Sequence, residues 1–524
     1  MRRAFNFTWA TIDPETISST NPAQLMNLVG GKWTSSSDYL KCLDPLFGGE
    51  FLYVPNTSKT ELEPYYKSIS AVSKSGIHNP LKNVERYRTY GQVCQRVASY
   101  LNQEEYYNYF ARLIQRAVPK HTVQARGEIG ILKTFCENFS GDQVRFLARG
   151  FSVPGDHLGQ QSHGYRWPYG PVGIVAPFNF PLEIPICQLL GALFMGNAVT
   201  IKPDPKAALC LEQFVRFLHF CGMPLEDVNI LHGTGEPMEQ LIRDDLFRCI
   251  QFTGSSRIAD HLSVITKGKV KVEDAGFDWK VLGPDVHDFD YVAWTSDQDA
   301  YAFSGQKCSA QSILFAHNNW VQAGIFDKLK QLAERRSLND LSICPVLTWN
   351  NEKIQRHVDA CAAIPGARVL FGGRPLDVPH SIPEIYGSYY PTAVYVPIDQ
   401  IPKHWDLVTT ELFGPFQIVT EWNNIEDVLA ILEKLSHHLT AAVVTKDQQF
   451  ANHVLGRTVN GTTYAGIRAR TTGAPQNHWF GPSGDPRAAG IATPEAIQLV
   501  WSSHREIISD IGPVPENWTI PPPS

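Results

Sequence analysis

The strongest constraint on the fold is a regular alternation of β-rich and helical runs between residues 180 and 276. The β-rich runs are GNAVTIKP, DVNILHG and CIQFTG, and between them lie LCLEQFVRFLHFCG and MEQLIRDD, which have helical periodicity. Strands separated by helices of this length form parallel βαβ units. Such sheets bind ligands beyond the carboxyl ends of their strands. The sequence therefore predicts an α/β protein with a nucleotide as a natural ligand.

Two further segments complete this pattern. Residues 58–149 repeat apolar side chains at three-to-four spacing, as in KNVERYRTYGQVCQRVASYL, which predicts helices. A second α/β series follows the first, with β-rich runs SILFAHN, ARVLFGG, YYPTAVYVP and LTAAVVT and helices expected around 320–336 and 425–436. The proline-rich end, IGPVPENWTIPPPS, is expected to extend across a neighbouring surface.

The composition limits the partners. The 46 basic and 52 acidic side chains give a formal charge of −6, which provides no general attraction to nucleic acid or a membrane surface. The apolar stretch 170–201 is interrupted by Glu183, Gln188 and four prolines, so it is interpreted as buried strand, turn and helix. The ten cysteines are scattered and form no CxxC pair, which favours reduced thiols and gives no sign of a metal site. A small-molecule ligand is expected.

Three side chains suit covalent chemistry. Cys308 lies in SGQKCSAQSI, and a thiolate is a strong nucleophile. Asn179, in APFNFPLE, carries an amide that can donate to a developing oxyanion. Glu273, in KVKVEDAGFD, can act as a general base where an apolar cleft raises its pKa. Taken singly, each has an ordinary alternative: an inert buried thiol, a structural asparagine and a solvated carboxylate.

Four other segments carry candidate ligand contacts. TIKPD places Lys202 at a strand end, and QFTGSS places Gly254 and Ser255 at a helix start, where free N–H groups bind phosphate. TTELFGPF combines Glu411 with an aromatic residue. FGPSGDPRAAG is a glycine-rich loop that either holds an anion or turns the chain. Its candidates are Ser483, Gly484 and Arg487.

Read in order, PFNFP, IKP, FTGS, the glutamate, GQKCSA and ELFGPF resemble the aldehyde dehydrogenase superfamily across almost the whole chain. The resemblance implies that Cys308 attacks an aldehyde, while Asn179 and the Cys308 backbone N–H hold the oxyanion of the thiohemiacetal. Hydride then passes to the nicotinamide of NAD or NADP. Glu273 activates the water that hydrolyses the resulting thioester to the acid.

The same resemblance implies a cofactor site. Lys202 is expected to hydrogen-bond the adenosine ribose, and Ser255 to lie near the pyrophosphate or adenine end. Glu411 is expected to bind the nicotinamide ribose, with Phe413 against the ring. The full expected set is Phe178, Lys202, Gly254, Ser255, Glu411 and Phe413.

The resemblance also implies an architecture. A Rossmann-like NAD-binding domain is expected at 1–149 and 168–283, and an α/β catalytic domain at 284–489. The segments 150–167 and 490–524 are expected to form a β-flap and tail that pair subunits. A homodimer or higher homo-oligomer follows from that flap.

Some residues depart from the family pattern. EDAGFDWK keeps Glu273 and Gly276 of the usual ELGGK, and Ala259 replaces a customary glycine. Pro205 stands where an acidic cofactor selector is frequent. NAD is the expected cofactor, with NADP as the alternative.

The segments GQKCSA and NHWFGPSGDPRAAG are similar to the branch of the family, especially its plant members, that oxidises glutamate γ-semialdehyde to glutamate in proline catabolism. The α-amino carboxylate of that substrate needs an anion site. The expected binders are Lys307, Ser309 and the loop N–H groups at Ser483 and Gly484. Glu128 is expected to be solvated at the surface, with a contact to the substrate amine as its alternative.

Four alternatives stay open. The substrate can be another semialdehyde or a betaine-type aldehyde, with NAD or NADP. A CoA-acylating dehydrogenase is opposed by the retained Glu273, and a catalytically silent ligand-binding relative by the intact trio of Cys308, Asn179 and Glu273. A Cys-His hydrolase lacks a positioned histidine, and His478 is only a distant candidate.

The resemblance implies a mitochondrial matrix location. The opening MRRAFNFTWATIDPE lacks a secretory apolar core. Its two arginines and few acids suit the end of a transit peptide without establishing one.

Overall fold

The computed structural model describes residues 5–274 and 276–524, so the expectations for MRRA at the start and for Ala275 of EDAGFDWK lie outside the described residues. The architecture is α/β, as predicted. The strands are β1 (Ala23–Gln24), β2 (Asn27–Val29), β3 (Lys32–Thr34), β4 (Tyr39–Leu43), β5 (Glu50–Pro55), β6 (Phe151–Pro154), β7 (Gln160–Pro168), β8 (Pro171–Val175), β9 (Ala198–Lys202), β10 (Val228–Ile230), β11 (Cys249–Thr253), β12 (Val270–Glu273), β13 (Asp278–Leu282), β14 (Gln311–His317), β15 (Arg368–Phe371), β16 (Thr392–Tyr395), β17 (Phe416–Trp422), β18 (Thr440–Val444), β19 (Thr462–Ala465) and β20 (Ser502–Asp510).

The helices alternate with these strands through most of the chain. They are α1 (Glu63–Ser70), α2 (Glu85–Leu101), α3 (Glu104–Ala117), α4 (Thr122–Asn138), α5 (Glu183–Phe194), α6 (Ala208–Phe220), α7 (Glu236–Arg243), α8 (Ser256–Ile265), α9 (Phe289–Tyr301), α10 (Asn318–Gln322), α11 (Ile325–Ala333), α12 (Asn351–Ala362), α13 (Trp405–Val408), α14 (Ile425–Leu432), α15 (Gln448–Leu455) and α16 (Pro494–Trp501). The helices predicted within 58–149 are α1 to α4. Ahead of them lie the short strands β1 to β5, which helical periodicity did not reveal.

The first large sheet is the predicted βαβ series. Its strand order is β12-β11-β8-β9-β10-β2-β3, and the five strands from β12 to β10 are parallel. These five are almost completely buried, as expected for parallel strands covered by helices on both faces. The antiparallel pair β2 and β3 closes the far edge.

The second large sheet has the order β15-β16-β17-β14-β13-β18-β19 and is parallel except for β15. The four predicted β-rich runs are β14, β15, β16 and β18. Strand β13 falls inside the range 168–283 proposed for the cofactor domain, yet it pairs with β14 and β18. The domain boundaries remain a proposal, and sheet membership supports a boundary before Asp278 rather than at 283.

A separate antiparallel sheet, β20-β7-β6, is built from the two segments predicted to form a flap. β20 pairs with β7 over nine residues, from Ser502 opposite Pro168 to Asp510 opposite Gln160. β20 is an outer strand, and its other edge meets no further strand of the described chain.

Two classes of feature are not found within the described ranges. None of the helices there has both the length and the apolar composition needed to cross a bilayer. No group of three or more His, Cys, Asp or Glu side chains there is arranged to hold a metal ion.

Candidate active site

Two cavities meet at Cys308. The first, of about 400 Å³, lies at the carboxyl ends of β8, β9, β11 and β12. The second, of about 380 Å³, lies on the other side of the thiol, among α4, the start of α5 and the chain after β19. Cys308 and Ile184 line both. A group held in either cavity can therefore reach the same sulfur.

The backbone leading to Cys308 is held in an unusual conformation. Phe303 and Ser304 have φ of 57° and 48°, in the left-handed region that side chains other than glycine rarely adopt. Gly305 follows with φ of 69°, and a Cβ there would lie 2.1 Å from the Gly414 carbonyl. The Gln306 side chain fixes the turn, donating to Pro345 O at 3.0 Å and accepting from Leu347 N at 2.8 Å. Local strain held by surrounding structure is typical of functional sites.

Cys308 differs from the other cysteines in its setting. Eight of the other nine are buried, and none of the nine lines either cavity. Burial and the nearby Glu273 carboxylate raise the pKa of the Cys308 thiol well above its usual value. The thiol is therefore protonated in this arrangement, and its activation requires loss of a proton to a neighbouring base.

Asn179 is placed to bind an oxyanion. Its buried side chain donates from Nδ2 to Gln306 O at 3.2 Å, which fixes the amide near the nucleophile turn. The second amide hydrogen remains for another acceptor. The backbone N–H of Cys308 donates to none of the residues that the structure describes. Two donors thus stand near the sulfur, the arrangement that stabilises a developing oxyanion.

Glu273 ends β12 and is 1% exposed. Neither of its carboxylate oxygens has a partner in ideal hydrogen-bond geometry within 5–274 and 276–524, but the Cys308 thiol and the Thr253 hydroxyl lie close enough to lower its pKa slightly. Burial raises the pKa of Glu273 to about 7. A carboxylate with that pKa can accept a proton from water or thiol near neutral pH, which suits a general base.

The residues predicted to bind a cofactor line the first cavity together. They are Phe178, Lys202, Gly254, Ser255, Glu411 and Phe413. The rings of Phe178 and Phe413 are in edge contact, with centroids 6.0 Å apart. Burial raises the pKa of Glu411. Because these side chains and Cys308 line one cavity, a ligand bound there can extend from the strand ends to the sulfur.

Polar groups at the strand ends suit a dinucleotide. Lys202, at the end of β9, is buried, and its Nζ donates to Pro203 O at 3.1 Å. Ser255 is the N-cap residue of α8 and lines the cavity, and the free N–H groups at such a helix start can bind an anion. The buried Ser256 hydroxyl has no partner among the described residues. The residues present therefore fit a phosphate-bearing ligand.

Asp204, which was not among the predicted site residues, places a carboxylate near Lys202. Asp204 lines the first cavity, one residue before Pro205. Its Oδ1 accepts from Lys206 N at 2.9 Å and lies 3.3 Å from Lys206 Nζ. The sequence pattern did not reveal this acid, because Asp204 lies one residue before position 205, where an acidic residue is frequent in the family and this chain has proline.

The second cavity holds only part of the predicted substrate site. Lys307 and Ser309 line it, together with Arg470, Thr472, Gly473 and Ala474. Lys307 is 6% exposed, and burial lowers its pKa to about 8. The backbone N–H groups of Gly473 and Ala474 donate to none of the described residues. An ammonium group and free N–H groups together can bind an anion.

Ser483 and Gly484 line neither cavity, so the structure does not place them where the prediction required. Ser483 N donates to His438 O at 3.2 Å. The chain then turns so that Val272 N donates to Arg487 O at 2.8 Å and Ala489 N to Val272 O at 2.9 Å. The glycine-rich loop therefore covers the strand that carries Glu273.

The remaining polar candidates have other partners. Arg487 forms ion pairs with Asp260 and Asp485. His478 is hydrogen-bonded to Tyr464 and lines neither cavity. Glu128 lines the second cavity, but the expectation of surface solvation is wrong, since the side chain is fully buried.

The partners of Glu128 show how the Asn179 turn is held. Glu128 pairs with the buried Lys120 at 3.1 Å and accepts the N–H groups of Leu182 and Glu183. Lys120 also donates to Asn179 O at 2.7 Å. This pair therefore fixes the turn that carries the Asn179 amide.

Comparison with known proteins gives a consistent result. Residues 33–484 match the model of the aldehyde dehydrogenase family. The chain is 55% identical over 525 residues to a protein of Linum usitatissimum named "Probable aldehyde dehydrogenase", covering 99% of this chain and 95% of the relative. It is 55% identical over 519 residues to the mitochondrial delta-1-pyrroline-5-carboxylate dehydrogenase 12A1 of Arabidopsis thaliana, covering 98% of this chain and 93% of the relative.

Solved structures agree in fold. An NAD-dependent aldehyde dehydrogenase from Sinorhizobium meliloti has a TM-score of 0.80 at 20% identity, over 95% of this chain and 97% of that chain. The NADP-dependent glyceraldehyde-3-phosphate dehydrogenase from Bacillus halodurans C-125 has a TM-score of 0.79 at 21% identity, over 94% and 100%. At these identities the likeness concerns the fold alone.

Proposed function

The chain belongs to the aldehyde dehydrogenase family, and from that membership we propose that it oxidises L-glutamate γ-semialdehyde to L-glutamate with NAD. The predicted aldehyde dehydrogenase fold is confirmed. The relative from Arabidopsis thaliana, named for delta-1-pyrroline-5-carboxylate, supports the substrate. Delta-1-pyrroline-5-carboxylate is the cyclic form in equilibrium with that semialdehyde.

One observation carries the proposal: a single cysteine stands between two cavities, with an amide donor and a buried carboxylate beside it. One cavity suits a dinucleotide and the other an anionic aldehyde. The aldehyde can therefore reach Cys308 from the second cavity, while a hydride acceptor in the first cavity would lie on the other side of the sulfur.

The first half of the reaction forms a covalent bond. The Cys308 thiol loses its proton to a base, and the sulfur attacks the aldehyde carbon. The carbonyl oxygen becomes an oxyanion, which Asn179 Nδ2 and the Cys308 N–H stabilise; one such donor contributes about 3 kcal/mol in other enzymes. A nicotinamide dinucleotide in the first cavity would be held by Lys202, Ser255 and Glu411 and would supply the hydride acceptor. Loss of hydride converts the thiohemiacetal to a thioester.

The second half releases the acid. Glu273, ionised above its pKa of about 7, removes a proton from water as that water attacks the thioester carbonyl. The tetrahedral oxyanion is again held by Asn179. Collapse of this intermediate expels the Cys308 thiolate and frees the carboxylic acid. The retained carboxylate favours water over a thiol such as CoA as the second nucleophile.

The choice of NAD rests on the ribose end of the first cavity. Asp204 provides a carboxylate beside Lys202, close to where a dinucleotide's adenosine ribose is expected. A carboxylate there can accept ribose hydroxyl hydrogen bonds and repels a 2′-phosphate. Formation of NADH by the wild type, followed by absorbance with a panel of semialdehydes, tests both choices. Faster turnover with NADP, or with another aldehyde, would contradict the proposal.

The substrate's α-carboxylate is proposed to bind between Lys307, Ser309 and the 472–474 segment. We predict that Lys307→Met raises KM for glutamate semialdehyde by roughly tenfold to hundredfold, since a charge-assisted contact is lost. The kcat/KM for propanal, which has no carboxylate, should change little. Steady-state kinetics on both aldehydes measure this.

Ser483→Ala is the matched control for Lys307→Met. Ser483 lies outside the second cavity, so the KM of the Ser483→Ala variant for glutamate semialdehyde should equal that of the wild type. If Ser483→Ala raised KM as much as Lys307→Met, the glycine-rich loop would be the anion site after all.

We propose that the flap joins two copies of the chain. β20 is a nine-residue edge strand, and Ile508 on it is 60% exposed. A long open edge with exposed apolar side chains is a template for strand pairing. We predict that the wild type is a dimer or larger in solution and that Ile508→Lys shifts it towards monomer. Size-exclusion chromatography with light scattering measures this, and a monomeric wild type would contradict it.

A mitochondrial location is also proposed. The support is the name of the Arabidopsis thaliana relative, which includes that compartment. Expression of the chain with a fluorescent protein at its carboxyl end, beside a mitochondrial marker, tests it, and a diffuse cytosolic signal would count against it.

A further inference from the structure

A buried ion pair lies behind the second cavity, outside the catalytic trio. It joins Lys280 on β13 to Asp299 near the end of α9, with Nζ and Oδ2 2.8 Å apart and side chains 0% and 1% exposed. Burying two charges is costly unless further hydrogen bonds satisfy them. The other partners of the pair therefore indicate what it supports.

Lys280 is tied to the same helix as its partner. Its Nζ donates to Ser296 Oγ at 3.2 Å, and Ser296 Oγ donates to Val292 O at 2.9 Å. Strand β13 is an interior strand of the second sheet, between β14 and β18. The ammonium group thus holds the Asp299 carboxylate at a fixed place between a central strand and a packed helix.

The remaining bonds of Asp299 go to the segment that lines the second cavity. Thr471 N donates to Oδ2 at 2.8 Å, and Thr472 Oγ1 donates to Oδ1 at 2.8 Å. Thr472 N lies 3.4 Å from the same Oδ1. One carboxylate therefore receives three bonds from two consecutive residues.

This segment has little structure of its own to position it. Between the end of β19 and the start of α16, the described chain has one three-residue turn of helix, Pro475–Asn477, and isolated bridges at Phe480, Ala488 and Ile491. Gly473 and Ala474, which line the cavity and whose N–H groups donate to none of the described residues, directly follow the two threonines. Asn138 on α4 holds the chain just beyond them, donating from Nδ2 to Gln476 O at 2.9 Å, and on the other side their position depends on what holds Thr471 and Thr472.

We propose that Asp299, fixed by Lys280, is a positioning residue that sets the preference for an aldehyde bearing a carboxylate over an uncharged one. It acts through the 471–474 segment, whose free N–H groups it holds against the substrate anion. This inference rests on the proposed function for the identity of the anion. The role of Asp299 in holding the 471–474 segment does not depend on the proposed function.

Asp299→Asn tests the proposal. The amide keeps the size of the side chain but presents a donor to one of the threonine groups and leaves Lys280 without its counter-charge. KM for glutamate semialdehyde should rise about tenfold to hundredfold, while kcat/KM for propanal stays near the wild-type value. Hydrogen exchange of the 471–474 amides, measured by mass spectrometry without substrate, should become faster.

Asp297→Asn is the control on the same helix. Asp297 is equally buried and pairs with Arg336, and it bonds to no residue of the 471–474 segment. The Asp297→Asn variant removes a comparable buried charge and should leave hydrogen exchange of the 471–474 amides unchanged. If Asp299→Asn fails to fold, the double variant Lys280→Met with Asp299→Asn removes the unpaired ammonium and should show the same faster exchange.

The readouts separate the two hypotheses. A wild type that does not oxidise glutamate semialdehyde defeats the proposed function, while faster exchange in Asp299→Asn still supports the holding role. Unchanged exchange and unchanged KM in Asp299→Asn would overturn the inference. Equal losses with both aldehydes would show that Asp299 supports the fold alone and sets no preference.

Discussion

Replacing Cys308 by alanine is expected to lower kcat for NADH formation by on the order of 10⁴–10⁶-fold, the scale seen when an enzyme loses its nucleophile. Alanine removes the sulfur that lies between the two cavities. No other cysteine lines either cavity, so none can substitute for it. Steady-state absorbance with glutamate semialdehyde and NAD measures the loss.

Cys361→Ala is the matched control. Cys361 is a fully buried thiol on α12, away from both cavities, and its loss should leave kcat near the wild-type value. Binding of NADH to Cys308→Ala, followed by fluorescence, should be retained because the strand-end contacts are intact. Full activity in Cys308→Ala would mean that the covalent mechanism is wrong.

Glu273→Gln is expected to lower the steady-state rate by about 10²–10⁴-fold, the usual contribution of a general base. The loss should fall on hydrolysis of the thioester. Removing the carboxylate also removes a nearby negative charge that raises the pKa of the thiol. Burial still raises the thiol pKa in the variant, but one negative charge fewer opposes its ionisation, so one equivalent of NADH should still form in the first turnover.

The pH profile gives an independent reading of Glu273. In the wild type, hydrolysis needs the ionised carboxylate, so its rate should fall by roughly tenfold per pH unit below the pKa and level off above it. That pKa is about 7. Stopped-flow and steady-state measurements across pH report both steps. If the wild-type rate did not fall below this pKa, or if the rate of Glu273→Gln still fell there, the general base would be another residue.

Much of the fold follows from the sequence because parallel strands are recognisable locally. The runs at β9, β10 and β11 are short, apolar and separated by helices, a pattern with few other solutions. The strands β1 to β5 are only two to six residues long and pair mostly with one another, so local periodicity gives no signal for them. The same holds for β13, whose partners lie far along the sequence.

The catalytic side of the site could be predicted because its residues stand in motifs at strand ends and in one turn. Asn179, Glu273 and Cys308 each occupy such a motif, and their order carried the resemblance. The substrate side could not be predicted as well. FGPSGDPRAAG has the composition of an anion-binding loop, yet Ser483 N donates to His438 O and Ala489 N to Val272 O of β12, while residues 472–474 of the plainer TTGA segment line the cavity.

The supporting pairs were also beyond prediction. Lys280 and Asp299 are 19 residues apart and each looks like a surface charge in the sequence. Their burial is decided by the packing of α9 on the second sheet, which no local pattern reports. Lys120 and Glu128 are a similar case, since only the packed structure brings them behind the Asn179 turn.

The most direct measurement is intact-protein and peptide mass spectrometry of Glu273→Gln mixed with glutamate semialdehyde and NAD and quenched in acid. A γ-glutamyl thioester should accumulate on the peptide that contains Cys308, with one acyl group per chain and one equivalent of NADH. Hydroxylamine should release it. NADH formation without an acyl group on Cys308, or an acyl group on another residue, would contradict the account.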